Sequence, residues 1–492
     1  MRANLAAAIT FAAFSALFTM ELASAVALNP RGLGQVLIFP YYTVNKNQDT
    51  LLSIGNAGDT GKVVHLRFRE SYNARSVLEF DVFLSPHDVW TAAITQMGDG
   101  AGATIRTSDR SCTNPAIAAA GQPFLEFNYA GPNEDPDSGP QSITRTREGF
   151  IELIAVGDVT PGSALDQTIT HVQTGTPGAG VPECNQTVLQ SSAPTVAPTP
   201  NLFGSVAIVN VGQGTFFGYT PDALTGFTDQ ALASTGAASG PTLEDANTAI
   251  AAPLTRASVV ADTTPVDIDY EFPIDAVTAV FMADSIYNEY FVDPSFGAST
   301  DWVVTLPTRE FYTDPAIAQT IVPPFFELFQ DGRSDTVVTG NLYDREEGAV
   351  LDFGHCTFCP PPGSFVPPSF PYAVNVLGFG EGAVSGVFGS NVVPFFVPLN
   401  GDTAGNVKLI LVDNSSTQQL PSGTAVADGD TVTLLGLPVT GFMAYNVINT
   451  NAQPGLLANY SGVFPNRASV SCRSANDGTS PGCPAIITSP PQ

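Results

Sequence analysis

Lys62-Val63-Val64-His65-Leu66-Arg67-Phe68-Arg69, followed after a turn by Val77-Leu78-Glu79-Phe80-Asp81-Val82-Phe83-Leu84, decides how this chain folds. In the first stretch Val64, Leu66 and Phe68 alternate with His65, Arg67 and Arg69. In the second, Leu78, Phe80 and Val82 stand opposite Glu79, Asp81 and Phe83. Side chains of a strand point alternately to its two faces, so a period of two reads as a strand with one face in a core and the other in water. Outward from this pair, residues 35–42 form an apolar run ending in Pro40-Tyr41-Tyr42. Residues 51–55 precede the turn Asn56-Ala57-Gly58-Asp59-Thr60-Gly61, and residues 89–94 follow the turn Ser85-Pro86-His87-Asp88. Short strands joined by tight turns predict an antiparallel sandwich.

Beyond a polar loop over residues 128–143, strands are expected at 149–156 and 202–211, with Thr-, Pro- and Gly-rich connections at 175–182 and 191–200. Residues 228–261 turn alanine-rich, which predicts short helices at 229–233 and 243–251, an excursion over the sandwich. Strands resume at 277–283 and 302–306. Pro315, Pro323 and Pro324 then break the pattern and place a second domain at residues 313–492, with strands at 336–342, 372–379, 407–412, 431–435 and 442–449. The expected fold is all-β: two antiparallel, Ig-like β-sandwich domains, residues 26–312 and 313–492, with a small helical insertion.

Composition agrees. Charged residues make up 13% of the 492, while Gly numbers 45 and Pro 40. Few charges and many turn-formers suit short strands and loops rather than helix bundles, whose exposed faces need Lys, Glu and Arg. Eighteen basic residues against 46 acidic ones give a net charge of −28. Such a field repels nucleic acid and anionic lipid and attracts cations.

Residues 1–25 read as a secretory signal peptide: Arg2, then an apolar run from Leu5 to Met20, then the small-x-small site Ala23-Ser24-Ala25, with Ala25-Val26-Ala27 as an alternative cut. The mature protein is thus expected to be secreted, periplasmic or at the cell surface, with no membrane span after cleavage. Six cysteines (Cys112, Cys184, Cys356, Cys359, Cys472 and Cys483) read as disulfides in that compartment. Of the 15 connectivities that six cysteines allow, local context favours Cys112–Cys184, Cys356–Cys359 and Cys472–Cys483.

Several motif matches lack the context their chemistry requires. Gly378-Phe379-Gly380-Glu381-Gly382-Ala383 has the dinucleotide spacing, but strand and turn residues follow instead of the helix that would hold pyrophosphate. Gly478-Thr479-Ser480-Pro481-Gly482 cannot be a nucleophile elbow beside Pro481 and Pro484. Cys356-Thr357-Phe358-Cys359 precedes Pro360-Pro361-Pro362, which forbid the helix a redox-active pair needs. His65, His87, His171 and His355 are scattered, and Trp90 and Trp302 sit in strand patterns that mark them as core. No cofactor is expected. Calcium has weak candidates in Asp267, Asp269 and Glu271, carboxylates along an extended segment, and in Asp135 and Asp137 of the polar loop, since hard cations take oxygen ligands.

Five segments together carry a resemblance: residues 29–43 (NPRGLGQVLIFPYYT), 146–152 (TREGFIE), 300–308 (TDWVVTLPT), 344–347 (DREE) and 437–442 (LPVTGF). They resemble a group of uncharacterised exported, cell-surface-type proteins of Gram-negative bacteria. The resemblance implies an exported protein and brings neither a reaction nor a site residue with it. Read physically, Arg147 with Glu148 and Arg345 with Glu346 and Glu347 are paired charges at sheet edges, and residues 300–308 are a buried strand leaving through Pro307. The functional expectation is a non-catalytic structural or interaction protein of the envelope, with protein partners or self-association. The alternative is a secreted hydrolase of polysaccharide or peptide that works through acidic residues.

Overall fold

The computed structural model describes residues 25–474 apart from 99, 132–135, 173–179, 235–239, 248–253, 262–263, 319, 347, 355–366, 381–384, 400, 413–417, 428, 450–452 and 454–457. Strand accounts for 45% of the chain and helix for 9%. The longest described α-helix has 7 residues. The protein is therefore all-β, and its sheets pack as sandwiches. No described helix is long and apolar enough to cross a membrane.

Residues 62–69 and 77–84 form the middle of the first sandwich. Its strands are β1 (Val36–Thr43), β2 (Asp49–Asn56), β3 (Lys62–Glu70), β4 (Ser76–Leu84), β5 (Val89–Gln96), β6 (Glu148–Asp158) and β7 (Leu202–Asn210). One sheet runs Ala27–Leu28, Asp222–Thr225, β1, β6, β3, β4, Cys112–Asn114. The facing sheet runs Thr215–Tyr219, β7, β2, β5, Ala103–Arg106, Gln122–Pro123. Leu37, Phe39, Leu66, Phe68 and Leu153 of the first pack with Leu52, Ile54, Trp90, Ile94 and Ile208 of the second. Each such burial stabilises by roughly 1.5–3 kcal/mol. This is the face that Val64, Leu66 and Phe68 foretold.

The opposite face departs from expectation. All nine residues of β3 and all eleven of β6 are buried. Val36, Ile38, Ile154 and Leu224 on that side belong to a second core with Ala257, Ile268 and Val277. His65, Arg67 and Arg69 thus lie inside the protein, not in water.

Further strands are β8 (Ala298–Thr305), β9 (Val374–Phe379) and β10 (Thr440–Val447). β8 pairs with β9 on one edge and with β10 on the other. Thr305 Oγ1 donates to the Pro40 carbonyl at 2.6 Å, tying β8 to β1. Ser285–Phe291 pairs with Ala404–Ile410 and Arg467–Ser469. Another sheet joins Thr255–Ala261 and Thr264–Tyr270 to Gly423–Ala425, Thr431–Leu434 and Cys472–Ser474. The expected division at 312/313 does not part the sheets: strands before it have their hydrogen-bonding edges filled by strands after it.

The helical insertion is corrected in the same way. Residues 229–233 are not helical, Leu243–Asp245 is a single 3-10 turn, residues 248–251 of the expected second helix lie outside the described residues, and Thr255–Ala261 is a strand paired along its length with Thr264–Tyr270. Alanines at 257 and 261 face the core from that strand, so their helix propensity is overridden by burial. Residues 277–279, expected in a strand, instead end the helix Pro273–Ala279, which opens with Pro at its first turn.

Cys112 and Cys184 form a disulfide across 72 residues. It sits in a small core of its own with Val63, Phe83, Leu165, Ile169 and Leu189. Cys472 is also disulfide-bonded. Cys356, Cys359 and Cys483, like the signal segment at residues 1–24, lie outside the described residues.

Candidate functional site

Alternation carries His65, Arg67 and Arg69 to one face of β3, and register decides what they meet. Arg67 lies opposite Glu79 of β4 and opposite Glu152 of β6, so one rung reads Glu79–Arg67–Glu152. Arg67 Nε donates to Glu79 Oε2 at 2.6 Å and Nη1 to Glu152 Oε1 at 2.9 Å. On the next rung, His65 Nδ1 lies 2.8 Å from Asp81 Oδ1. Towards the other end, Arg69 Nε donates to Glu152 Oε2 at 3.0 Å and Nη1 to Glu310 Oε2 at 2.5 Å. Cross-strand opposite charges are the natural pairs of an antiparallel sheet. Here they form a ladder that is largely buried, with Glu79 partly exposed.

The cover comes from far along the chain. Ser234 Oγ donates to both oxygens of Asp81 at 2.7 and 2.8 Å, and the Pro241 carbonyl accepts from Arg67 Nη1 at 3.0 Å. A Cβ on Gly240 would stand 2.1 Å from the His65 ring, so only glycine lets the covering segment lie this close. Burial works against the His65 charge, but its hydrogen bonds to Asp81 and Glu79 win and hold it above the usual histidine value. Burial likewise opposes ionisation of Glu79, yet His65 and Arg67 bring it down to about 2. Glu310 behaves differently: burial pushes it up to about 8, although Arg69 is beside it.

A second cluster lies at the end of β3. Arg145 grips Glu70 at 2.5 and 2.8 Å and Asp137 at 2.5 and 2.7 Å, with its guanidinium 4.3 Å above the Tyr129 ring. Glu70 also accepts the backbone N–H groups of Tyr72, Asn73 and Arg75. Arg75 takes both oxygens of Asp314 at 2.7 Å.

The ladder opens on a cleft of about 660 Å³ lined by Arg67, Arg69, Arg75, Thr242, Glu244, Glu310, Asp314 and Phe127 among others. An apolar hollow of about 450 Å³, with Val77, Leu78, Phe80, Ile117 and Leu125 in its wall, adjoins it. Both share Ser76, Phe127 and Asn128. Phe127 is 67% exposed between them. Chemically the cleft offers hydrogen-bond donors and acceptors that are mostly engaged with one another. Glu310 is its one acid held towards the neutral form well above the usual carboxylate range. Burial and Asp245 also raise Glu244.

The residues singled out from sequence are dispersed. Asp137 is held by Arg145 and buried, and Asp135 lies outside the described residues. Asp269 is taken by Arg256 from the neighbouring strand at 2.7 and 3.0 Å. Asp267 is half-buried along the same strand, and Glu271 is exposed beyond its end. Among the described residues, no three His, Cys, Asp or Glu side chains gather as a metal site. Trp90 and Trp302 are fully buried.

Arg147 and Glu148 are not an edge pair. β6 lies between β1 and β3, and Glu148 is buried, accepting from Tyr41 Oη at 2.8 Å, Ser390 Oγ at 2.7 Å and the Asn391 N–H at 2.8 Å. Asp301 of β8 accepts the N–H groups of Gly386, Val387 and Phe388 at 3.0, 3.0 and 2.8 Å. Two buried carboxylates, one from each of two resembling segments, therefore anchor the loop at 385–392. Arg345 and Glu346 do lie at a turn, between Thr339–Tyr343 and Ala349–Phe353; Glu347 lies outside the described residues.

The ladder's signal in the sequence is its regularity. Three basic residues at spacing two, facing two acids at spacing two, are unusual in a chain with only 18 basic residues. No protein-family model, curated protein or solved structure matches the chain.

Proposed function

We propose that this protein is a non-catalytic structural or interaction protein of the bacterial envelope, exported and acting outside the cytoplasm. The observation that carries the reading is the engagement of the cleft. Arg67, Arg69 and Arg75 hold Glu79, Glu152, Glu310 and Asp314 at 2.5–3.0 Å. Groups locked to one another in this way brace a sheet and leave little for acid–base chemistry, which needs a group free to exchange its proton with substrate. The disulfide at Cys112–Cys184 supports an oxidising compartment. A net charge of −28 supports a soluble partner-binding role away from nucleic acid and anionic lipid.

One observation favours a hydrolase instead. Glu310, pushed up to about 8, and Glu244 both line the cleft, and a proton donor with a raised pKa beside a second carboxylate is the equipment of a glycosidase. A panel of polysaccharides and peptides tests both readings with wild type and Glu310→Gln. Absence of turnover by wild type is the expected result. Turnover that Glu310→Gln abolishes while the protein stays folded overturns the non-catalytic reading. Cell fractionation with mass spectrometry of the N-terminus tests the compartment: a chain starting at Met1 in the cytoplasm overturns export.

A further inference from the structure

On strands distant in sequence from the ladder, a second groove has the opposite character. It runs between Ser285–Phe291 and Ala404–Ile410 of one sheet and β10 and Tyr460–Pro465 of another. Two hollows of about 680 and 490 Å³ make it up, joined at Glu289, Arg345 and Gly405. Volumes of several hundred Å³ are those of ligand sites.

One wall is aromatic. The Tyr445 and Phe464 rings lie 6.2 Å apart and only 6° from parallel. Gly462 stands opposite Tyr445, where a Cβ would come 2.5 Å from the ring, so its absence lets the ring lie flat along the strand. Tyr460 is 65% exposed and Phe464 43%. The other wall is polar: Asp344, Arg345, Asn406 and Arg467 line it with Glu289. These groups are not locked as the ladder is. Glu289 and Arg467 stand 4.0 Å apart, with both side chains 63% exposed. At the floor, Tyr290 is 2% exposed, and its buried hydroxyl has no hydrogen-bond partner among the described residues.

We propose that this groove binds a neutral polysaccharide, whose pyranose rings lie on the aromatic wall while their hydroxyls bond to the polar one. Flat, exposed rings accept the apolar faces of sugars, and unengaged amide, carboxylate and guanidinium groups are free to bond the hydroxyls at their rims. A net charge of −28 disfavours an anionic polymer. An added peptide strand is disfavoured because Tyr460–Pro465 does not offer a free edge at Ser461, whose hydroxyl bonds both the N–H (3.0 Å) and the carbonyl (2.7 Å) of Phe216. The inference rests on the non-catalytic reading only in expecting the bound chain to leave unshortened.

The test is affinity electrophoresis in gels holding hydroxyethylcellulose or glycol chitin, with calorimetric titration of cellohexaose and chitohexaose. Retardation by at least one neutral polymer is expected, with affinity about tenfold lower for each of Tyr460→Ala and Phe464→Ala, the loss of roughly one aromatic contact. Phe272→Ala, 60% exposed and outside the groove, leaves binding unchanged. Thermal melting of each variant separates lost binding from lost fold. Failure of every probe to bind, or undiminished binding by the folded Tyr460→Ala/Phe464→Ala double variant, overturns the proposal. Chromatography of the probe after binding distinguishes the two readings: a shortened sugar keeps the groove and overturns the non-catalytic role.

Discussion

Glu148 and Glu152 stand four residues apart on β6, are 2% and 1% exposed, and are held in opposite ways. Glu152 meets two guanidinium groups, from Arg67 and Arg69. Among the described residues Glu148 meets neutral donors, chiefly two hydroxyls and a backbone N–H. Burial accordingly raises Glu148, and it raises Asp301, the other anchor of the 385–392 loop, to about 6. A buried charge is tolerated when another charge or several hydrogen bonds compensate it, and the two means respond differently to mutation and pH.

Glu152→Gln draws the contrast most sharply. It leaves two buried guanidinium groups short of their shared anion, and equilibrium urea unfolding should show a loss of about 3–5 kcal/mol. A loss under about 1 kcal/mol would mean that water reaches the ladder. The next largest effect concerns the ladder's sheet alone. Cys112 lies opposite Phe83 on the strand whose Asn114 pairs with Asp81 of β4, and Cys112→Ala/Cys184→Ala should cost about 2–4 kcal/mol by freeing a 72-residue loop. The groove proposed for sugars should keep its affinity in that variant.

Acidity acts on individual groups with different signs, and the ladder contains both. Asp301 has its folded value raised, so the folded state binds its proton more tightly and stability grows as pH falls from 7.5 towards 5, by about 1 kcal/mol from this group. His65, also raised, contributes stability that is complete below its unfolded value near 6.5 and fades as pH rises through its folded value. Glu79, lowered to about 2, contributes stability present above about 4.5 and lost as pH falls through 2. Melting temperatures between pH 5 and 8.5 should therefore fall with rising pH, and His65→Gln should flatten the upper part of that slope. The smallest effect is expected for Glu148→Gln. The amide oxygen can keep the Asn391 N–H while Tyr41 and Ser390 rotate their hydroxyls to accept from the new NH2, so the change should stay within about 1 kcal/mol.

Much of the β architecture was legible because it depends on near neighbours. Alternation at Val64, Leu66 and Phe68, the turns on either side and the burial of Trp90 and Trp302 are local facts that tertiary packing had no reason to overturn. The pairing of Cys112 with Cys184 was legible from context. The burial of His65, Arg67 and Arg69 was not, because what covers them lies at Ser234, Pro241 and Glu310, and a charged face looks the same in sequence whether water or a partner covers it. The aromatic groove was missed for a related reason. The two tryptophans are buried, whereas the groove's exposed rings are Tyr460 and Phe464, spaced four apart on a strand that only the fold sets beside Tyr445.

The pairing of β8 and its neighbours with later strands also sets a schedule for the growing chain. Ser285–Phe291 and β8 find partners at residues 374–379, 404–410, 440–447 and 467–469. As the ribosome releases these two strands, the edges they will later share have no mate for scores of residues. Contacts this far apart fold slowly, and an unmated edge is prone to join another chain. The strands of the first sandwich have all their sheet partners by residue 225, while the remainder must wait, unfinished, for segments made last. A chain stopped near residue 430 should therefore aggregate even though most of its sequence is present.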